Sequence, residues 1–150
     1  MKHSCYIILF FAFFVFPSQV KGNNKSESNE EIAEEMLTYM VSNNCKHFGR
    51  EKIYAIVLKN IDYSDIFLKK IEHLQIQHEM HNSFKDTNYL KNGNYTGISI
   101  AIKEVNENFA IARGICVHLS HGFGNFASYE LEKRNNLWTI IKIFNQGEGD

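Results

Sequence analysis

Residues 109–119 of this 150-residue chain read FAIARGICVHL, and their alternation limits the fold more than any other segment. In an extended strand successive side chains point to opposite faces. One face therefore carries Phe109, Ile111, Arg113, Ile115, Val117 and Leu119, and the other carries Ala110, Ala112, Gly114, Cys116 and His118. The second face has so little bulk that a helix can come close to it. Residues 96–104 alternate in the same way, with Ile98, Ile100 and Ile102 together, and residues 126–133 and 137–144 read as two further strands. Short connections at Asn106 to Asn108, His121 to Gly124 and Arg134 to Asn136 hold the Asn or Gly that tight turns favour. Four strands joined in this way form an antiparallel meander. In the last of them Trp138 shares a face with Ile140 and Phe144 and anchors the core.

The helix for the small face is found upstream. Ile32, Met36, Tyr39 and Met40 recur at helical spacing, which predicts a helix over about 29–45. Ser28 stands three residues before Glu31, the spacing of a capping box, and Glu30, Glu31, Glu34 and Glu35 place negative charge in the opening turns as a solvated face. Residues 52–59 (KIYAIVLK) read as a buried strand, 62–73 as a short amphipathic helix and 74–78 (LQIQH) as an alternating strand. A polar stretch over 79–94 carries turn chemistry at Lys91 to Asn94. The expected fold is α+β, an N-terminal helix packed on a curved antiparallel sheet that ends in the four-stranded meander. No internal repeat or domain linker interrupts it.

Ahead of this domain, Lys2 and His3 precede eleven apolar residues, Tyr6 to Phe16, which Pro17 ends. That layout is a secretory signal peptide. Val20 and Gly22 suit the positions before cleavage, so the mature chain is expected to start at Asn23. The run is too short to span a bilayer, which needs about 20 apolar residues, and Cys5 lies on the wrong side of it for lipidation. The expected layout is a signal peptide over 1–22, a flexible linker over 23–28 and a single domain over 29–146. With Lys2 and Lys21 removed, 14 basic and 17 acidic groups leave a net charge of −3. That balance excludes a polybasic nucleic-acid binder. Cys45 and Cys116 remain, 71 residues apart. In an oxidising compartment they either bridge or sit as two buried thiols.

The segment from Tyr129 to Lys142 (YELEKRNNLWTIIK) resembles the closing hairpin of NTF2-like and cystatin-like domains, in which a charged strand, an Asn/Gly turn and a Trp-centred strand end the sheet. The segment from Asn60 to Lys69 (NIDYSDIFLK) is similar to one in small exported bacterial proteins, where a short helix falls between two strands ahead of a meander. The resemblance implies an α+β domain over about 52–144. In NTF2-like enzymes a carboxylate and a His or Tyr in the sheet concavity do acid–base work. It points to Tyr54, His78, Arg113, Tyr129 and Glu130 as the residues to inspect. NTF2-like proteins wall their pocket with three helices, whereas this chain offers one long and one short.

Other constellations are sparse. His78 and His81, and His118 and His121, have HxxH spacing, and with His47 and His73 they make six imidazoles after processing. Such pairs serve a zinc or copper site only where a turn brings the rings together. Cys116 and His118 share a strand face, as a nucleophile and base would. Asn24 and Asn94 begin N-glycosylation sequons. Arg113 interrupts an apolar strand face, with Glu130 its expected partner in an ion pair that fixes register. No phosphate-binding loop, dinucleotide turn or paired-Cys zinc motif occurs, and no cofactor is expected. The sequence reads as an exported soluble binding or interaction domain without catalytic activity, an immunity protein being one such. Its partner is a protein or a small molecule, met through Phe123 in the loop from His121 to Asn125, with Arg113 and Glu130 as further contacts. The alternatives are a small NTF2-like enzyme and a periplasmic metal binder using the HxxH pairs.

Overall fold

The computed structural model of the chain describes residues 23–46, 53–84 and 95–149. The expected leader over 1–22 with Gly22 at its exit, His47 and the turn expected at Lys91 to Asn94 lie outside the described residues. The elements are α1 (Asn23–Ser42), β1 (Ile53–Lys59), α2 (Asp65–Ile71) continued by a 3₁₀ turn (Glu72–Leu74), β2 (His78–Met80), β3 (Tyr95–Val105), β4 (Phe109–His118), β5 (Gly124–Arg134) and β6 (Leu137–Gly149). They build one α+β unit whose six-stranded sheet has the order β2-β1-β3-β4-β5-β6. Strands β3 to β6 form the expected antiparallel meander. The sheet as a whole is mixed, because β1 runs parallel to both β2 and β3. A helical crossover such as α2 is the connection that parallel neighbours need. The near-continuous apolar run of β1 is the pattern of a strand covered on both faces.

Helix α1 starts at Asn23, six residues earlier than periodicity predicts, so residues 23–28 belong to the helix and not to a linker. Ser28 is therefore inside the helix and caps nothing, and the glutamates lie along its length. Ile32, Met36, Leu37 and Met40 are fully buried on the sheet. Gly114 makes the approach possible. A Cβ there would lie 2.6 Å from Met40 Sδ and 3.0 Å from the Tyr129 ring. Just beyond the helix, Cys45 is bonded to Cys116, with Cα atoms 5.8 Å apart, inside the range a disulfide spans. Of the two fates open to these cysteines, the fold adopts the bridge.

Helix α2 begins where its sequence asks. The Ser64 hydroxyl accepts the Phe67 N–H at 3.2 Å, and Ser64 in turn donates its own N–H and hydroxyl to Glu30 at 2.7 and 3.0 Å. That carboxylate ties α2 to α1. The strand expected at 74–78 is displaced to His78–Met80. The chain is still leaving the helix at Gln75, which has left-handed backbone (φ 51°) and donates its N–H to Glu72 O at 3.0 Å. The alternation of LQIQH reflects Leu74 and Ile76 turning onto the core.

The turns work by two devices. Asn135 and Asn136, at φ 51° and 63°, make the β5–β6 hairpin. Asn106 instead accepts the N–H groups of Asn108 and Phe109 on its side chain, at 3.1 and 2.8 Å. The register of β6 holds a further correction. Leu131 pairs with Ile140 but Glu130 pairs with Lys142, so Ile141 bulges. A bulge inverts the facing of the residues that follow it, here as far as the second register shift, between Ser128 and Phe126 on the partner strand. Trp138 and Ile140 do face the core. Beyond the bulge Ile143 takes the inward position and Phe144 points to the opposite face.

Two stability outcomes follow. The bridge closes a 71-residue loop, so its reduction is expected to cost about 4 kcal/mol by chain entropy. Denaturant melts with and without reductant measure it, and equal midpoints contradict it. Trp138→Ala removes a core indole and is expected to cost about 3–5 kcal/mol in the same assay; an unchanged midpoint would show that Trp138 is not an anchor.

Candidate functional site

The sheet has two unlike faces. The inner one lies beneath α1. On the outer one, register places Ile111, Glu130 and Lys142 in one row, Arg113, Ser128 and Phe144 in the next, and Ile115, Phe126 and Gly147 in the third. Arg113 is exposed, not buried, and it does not pair with Glu130. Its guanidinium lies 5.1 Å from the centre of the Phe126 ring. Glu130 is a diagonal neighbour of Arg113, whereas Lys142 stands directly opposite and donates to it at 3.2 Å. Lys142 also lies 5.6 Å from the Phe144 ring. The outer face is thus a row of half-buried apolar side chains crossed by charges that are already engaged.

At the β1–β3 end the same face holds a small polar network. The Tyr95 hydroxyl donates to Glu79 at 3.4 Å, reaching across β1, and the His81 ring nitrogen lies 3.2 Å from the other oxygen of Glu79. Phe84 closes over Gly97, where a Cβ would meet its ring at 3.0 Å. Beside His81 an open cleft of about 580 Å³ is lined by Lys59, Asp62, Tyr63 and Asn82 among others. A carboxylate beside an imidazole is the pairing used in acid–base chemistry. His78 takes no part, its Nδ1 being turned to Ile76 O at 3.3 Å.

The loop from β4 to β5 gathers the second HxxH pair. A turn over 119–121 brings the His118 and His121 rings to 4.4 Å. Phe123 stacks on His118 with centroids 6.0 Å apart and lies 6.3 Å from His121. The Ser120 hydroxyl is 2.9 Å from His118 Nδ1. Phe123 stays 48% exposed and does not tuck onto the core. The four HxxH imidazoles do not converge, and no group of three His, Cys, Asp or Glu side chains suited to a metal occurs among the described residues. Cys116, held in the disulfide, is no nucleophile for His118.

Of the tyrosines that the resemblance singled out, Tyr129 is core. It is fully buried, packed edge-on to Tyr39 at 5.7 Å. Burial, with Tyr39 beside it, pushes its hydroxyl up to about 12. Burial raises Tyr54 as well. Neither hydroxyl ionises near neutrality, so neither acts as a base there.

The glutamates of α1 make specific contacts that an expected solvated face does not. Besides Glu30 on Ser64, Glu31 accepts Lys133 Nζ at 2.9 Å. Glu35 meets β6, where it accepts the Ile140 N–H. Burial raises its carboxyl above the usual range, the Ile140 N–H opposes this, and Glu34 adds to the rise. Sequence spacing shows neither the bulge that frees Phe144 nor the reach of Glu35 to β6, since both depend on register. No protein-family model, curated protein or solved structure matches the chain.

Because the folded chain holds the Glu35 proton more tightly than the unfolded chain, this group favours folding below its ordinary pKa of about 4.5. That contribution is lost as pH rises through the raised value. Glu35→Gln keeps an acceptor for Ile140 without the buried charge. It is expected to match or exceed the parent in stability at neutral pH, and its advantage to shrink on acidification. Melting temperatures across that range test this, and an advantage that grows in acid contradicts it.

Proposed function

We propose that the chain is an exported binding domain of NTF2-like or cystatin-like build, without catalytic activity, that meets a protein partner through the β4–β5 loop. The carrying observation is Phe123, a large aromatic side chain held half out of the surface by a fixed loop. The loop is tied back at both ends. His118 N–H donates to Phe123 O at 2.9 Å, and the N–H groups of His121 and Gly122 donate to His118 O at 3.1 and 2.9 Å. An aromatic ring pre-positioned in this way loses little entropy on binding, which is how interface anchors work. The Cys45–Cys116 bridge supports export, because such bonds persist in oxidising compartments. Among the described residues no helix is long and apolar enough to cross a membrane.

A second reading, an acid–base enzyme, draws on the Glu79–His81 pair beside its cleft. The cleft is open, so the pair lacks the gain in electrostatic strength that a closed, water-free site brings.

The tests address export and contact separately. Sequencing of the secreted protein is expected to begin at Asn23; material beginning at Met1 overturns export. A photo-reactive phenylalanine analogue at position 123, irradiated in the native extracellular fluid, is expected to give one protein adduct. Phe123→Ser should weaken capture of that protein by about tenfold or more, an anchor's loss of over 1.4 kcal/mol. No adduct, or unchanged capture, overturns the loop as the contact.

A further inference from the structure

Strand β2 is shorter than its neighbour. It pairs with β1 only from Tyr54 to Ile56, and the His81 N–H closes this ladder on Ile56 O at 2.8 Å, while β1 runs on to Lys59 beside β3. Where a longer β2 would lie, beside Leu58, stands the open cleft of about 580 Å³. The connections that leave these two carboxyl ends take opposite faces of the sheet. From β1 the chain turns at Asn60, whose backbone is left-handed (φ 57°), and crosses the inner face as α2, with Phe67 and Ile71 in the core. From β2 it turns to the outer face, where Phe84 lies over Gly97 beside Val117 and Leu119. Parallel neighbours whose connections part in this way leave a crevice outside their carboxyl ends, and open sheets of parallel strands bind their ligands there. The cleft lies at that crevice.

Its lining selects a class of molecule. Lys59 and Asp62 bring one charge of each sign, and neither enters an ion pair among the described residues. An anion would meet Asp62 as well as Lys59, and a cation the reverse, so neither sign is favoured. Asn60 and Asn82 add amides, which donate and accept at once. Tyr63 supplies apolar surface. Its ring is 42% exposed and is braced by the buried Phe67 ring, with centroids 6.1 Å apart.

We propose that this cleft binds a neutral sugar ring. Its hydroxyls both donate and accept, as the amides and the paired charges around them require, and one C–H face lies on the Tyr63 ring. A volume of about 580 Å³ falls within the usual size of small-ligand sites, about 300–1,000 Å³. The proposal gives this cleft to binding and not to acid–base chemistry. It is independent of the Phe123 loop, and either proposal stands if the other fails.

The test follows backbone amide chemical shifts of the isotope-labelled secreted protein as glucose, galactose, mannose and N-acetylglucosamine are added in turn. At least one of these sugars is expected to give saturable shifts confined to residues 58–63 and 81–82. For the sugar that binds, Tyr63→Ala should weaken affinity by about tenfold, the loss of a stacked aromatic contact. Asn82→Ala should weaken it several-fold, with the circular dichroism of both variants unchanged. Phe123→Ser should bind it as the parent does. Glucose 6-phosphate and glucosamine, an anion and a cation, should bind no more tightly than the neutral sugar. No saturable shift with any of the neutral sugars, shifts centred elsewhere, tighter binding of either charged form, or full affinity in both Tyr63→Ala and Asn82→Ala overturns the proposal.

Discussion

Ala110, Ala112, Gly114 and Cys116 give the middle of the sheet almost no side-chain height, and α1 fills the space they leave. Met40 reaches down to Gly114, and Ile32, Met36 and Leu37 cover the sheet around it. A larger residue at Gly114 pushes against both Met40 and Tyr129, so the helix and the buried phenol are positioned by the same missing side chain. From that contact the rest of the arrangement follows. Glu30 reaches Ser64 and starts α2, Glu31 reaches Lys133 on β5, and Glu35 reaches Ile140 on β6. One helix thereby touches the first crossover and the last strands. Its charged side chains act as spacers as much as its apolar ones act as core.

The division of labour in β4 could be read from its alternation, since nothing but a strand sorts five small or polar residues from six large or charged ones. The same reading placed a helix over the small face. It failed where facing depends on a neighbour. Phe144 was expected inside because parity was carried through Ile141, and a bulge has no mark in an apolar run such as TIIKIF. Arg113 was expected to meet Glu130 by type of charge, but a residue directly across the ladder, Lys142, is nearer than one on the diagonal. The parallel setting of β1 had a visible signal in its unbroken apolar run, read only as burial. At the candidate sites the exposed aromatic of the loop was legible, while the cleft beside His81 was not. Its place depends on β2 ending its pairing at Ile56 while β1 runs on to Lys59.

The two faces differ in how finished they are. The outer sheet face has its cations seated on Phe126 and Phe144 and its carboxylate matched to Lys142. Both proposed contact points lie off that face, one on a loop and one at the carboxyl ends of β1 and β2. They share a pattern in which the backbone is fixed by its own hydrogen bonds and an aromatic ring is left partly exposed. Recognition on a small α+β unit of this kind draws on places where secondary structures end, because inside the elements the backbone polar groups are paired along the helix or the ladder.

The Cys45–Cys116 bridge also changes what a broken chain would be. It joins the last turn of the helix region to the middle of the meander, so any single backbone cut between those two cysteines leaves both pieces in one covalent molecule. Such a nicked protein would migrate as one species until reduced, with α1 still fastened over β4. A cut between Cys116 and the loop has no such protection and would leave β5, β6 and the loop that bears Phe123 without a covalent tie to the rest. Resistance to proteases is therefore divided along the sequence, and the half that carries the exposed aromatic depends on the sheet alone.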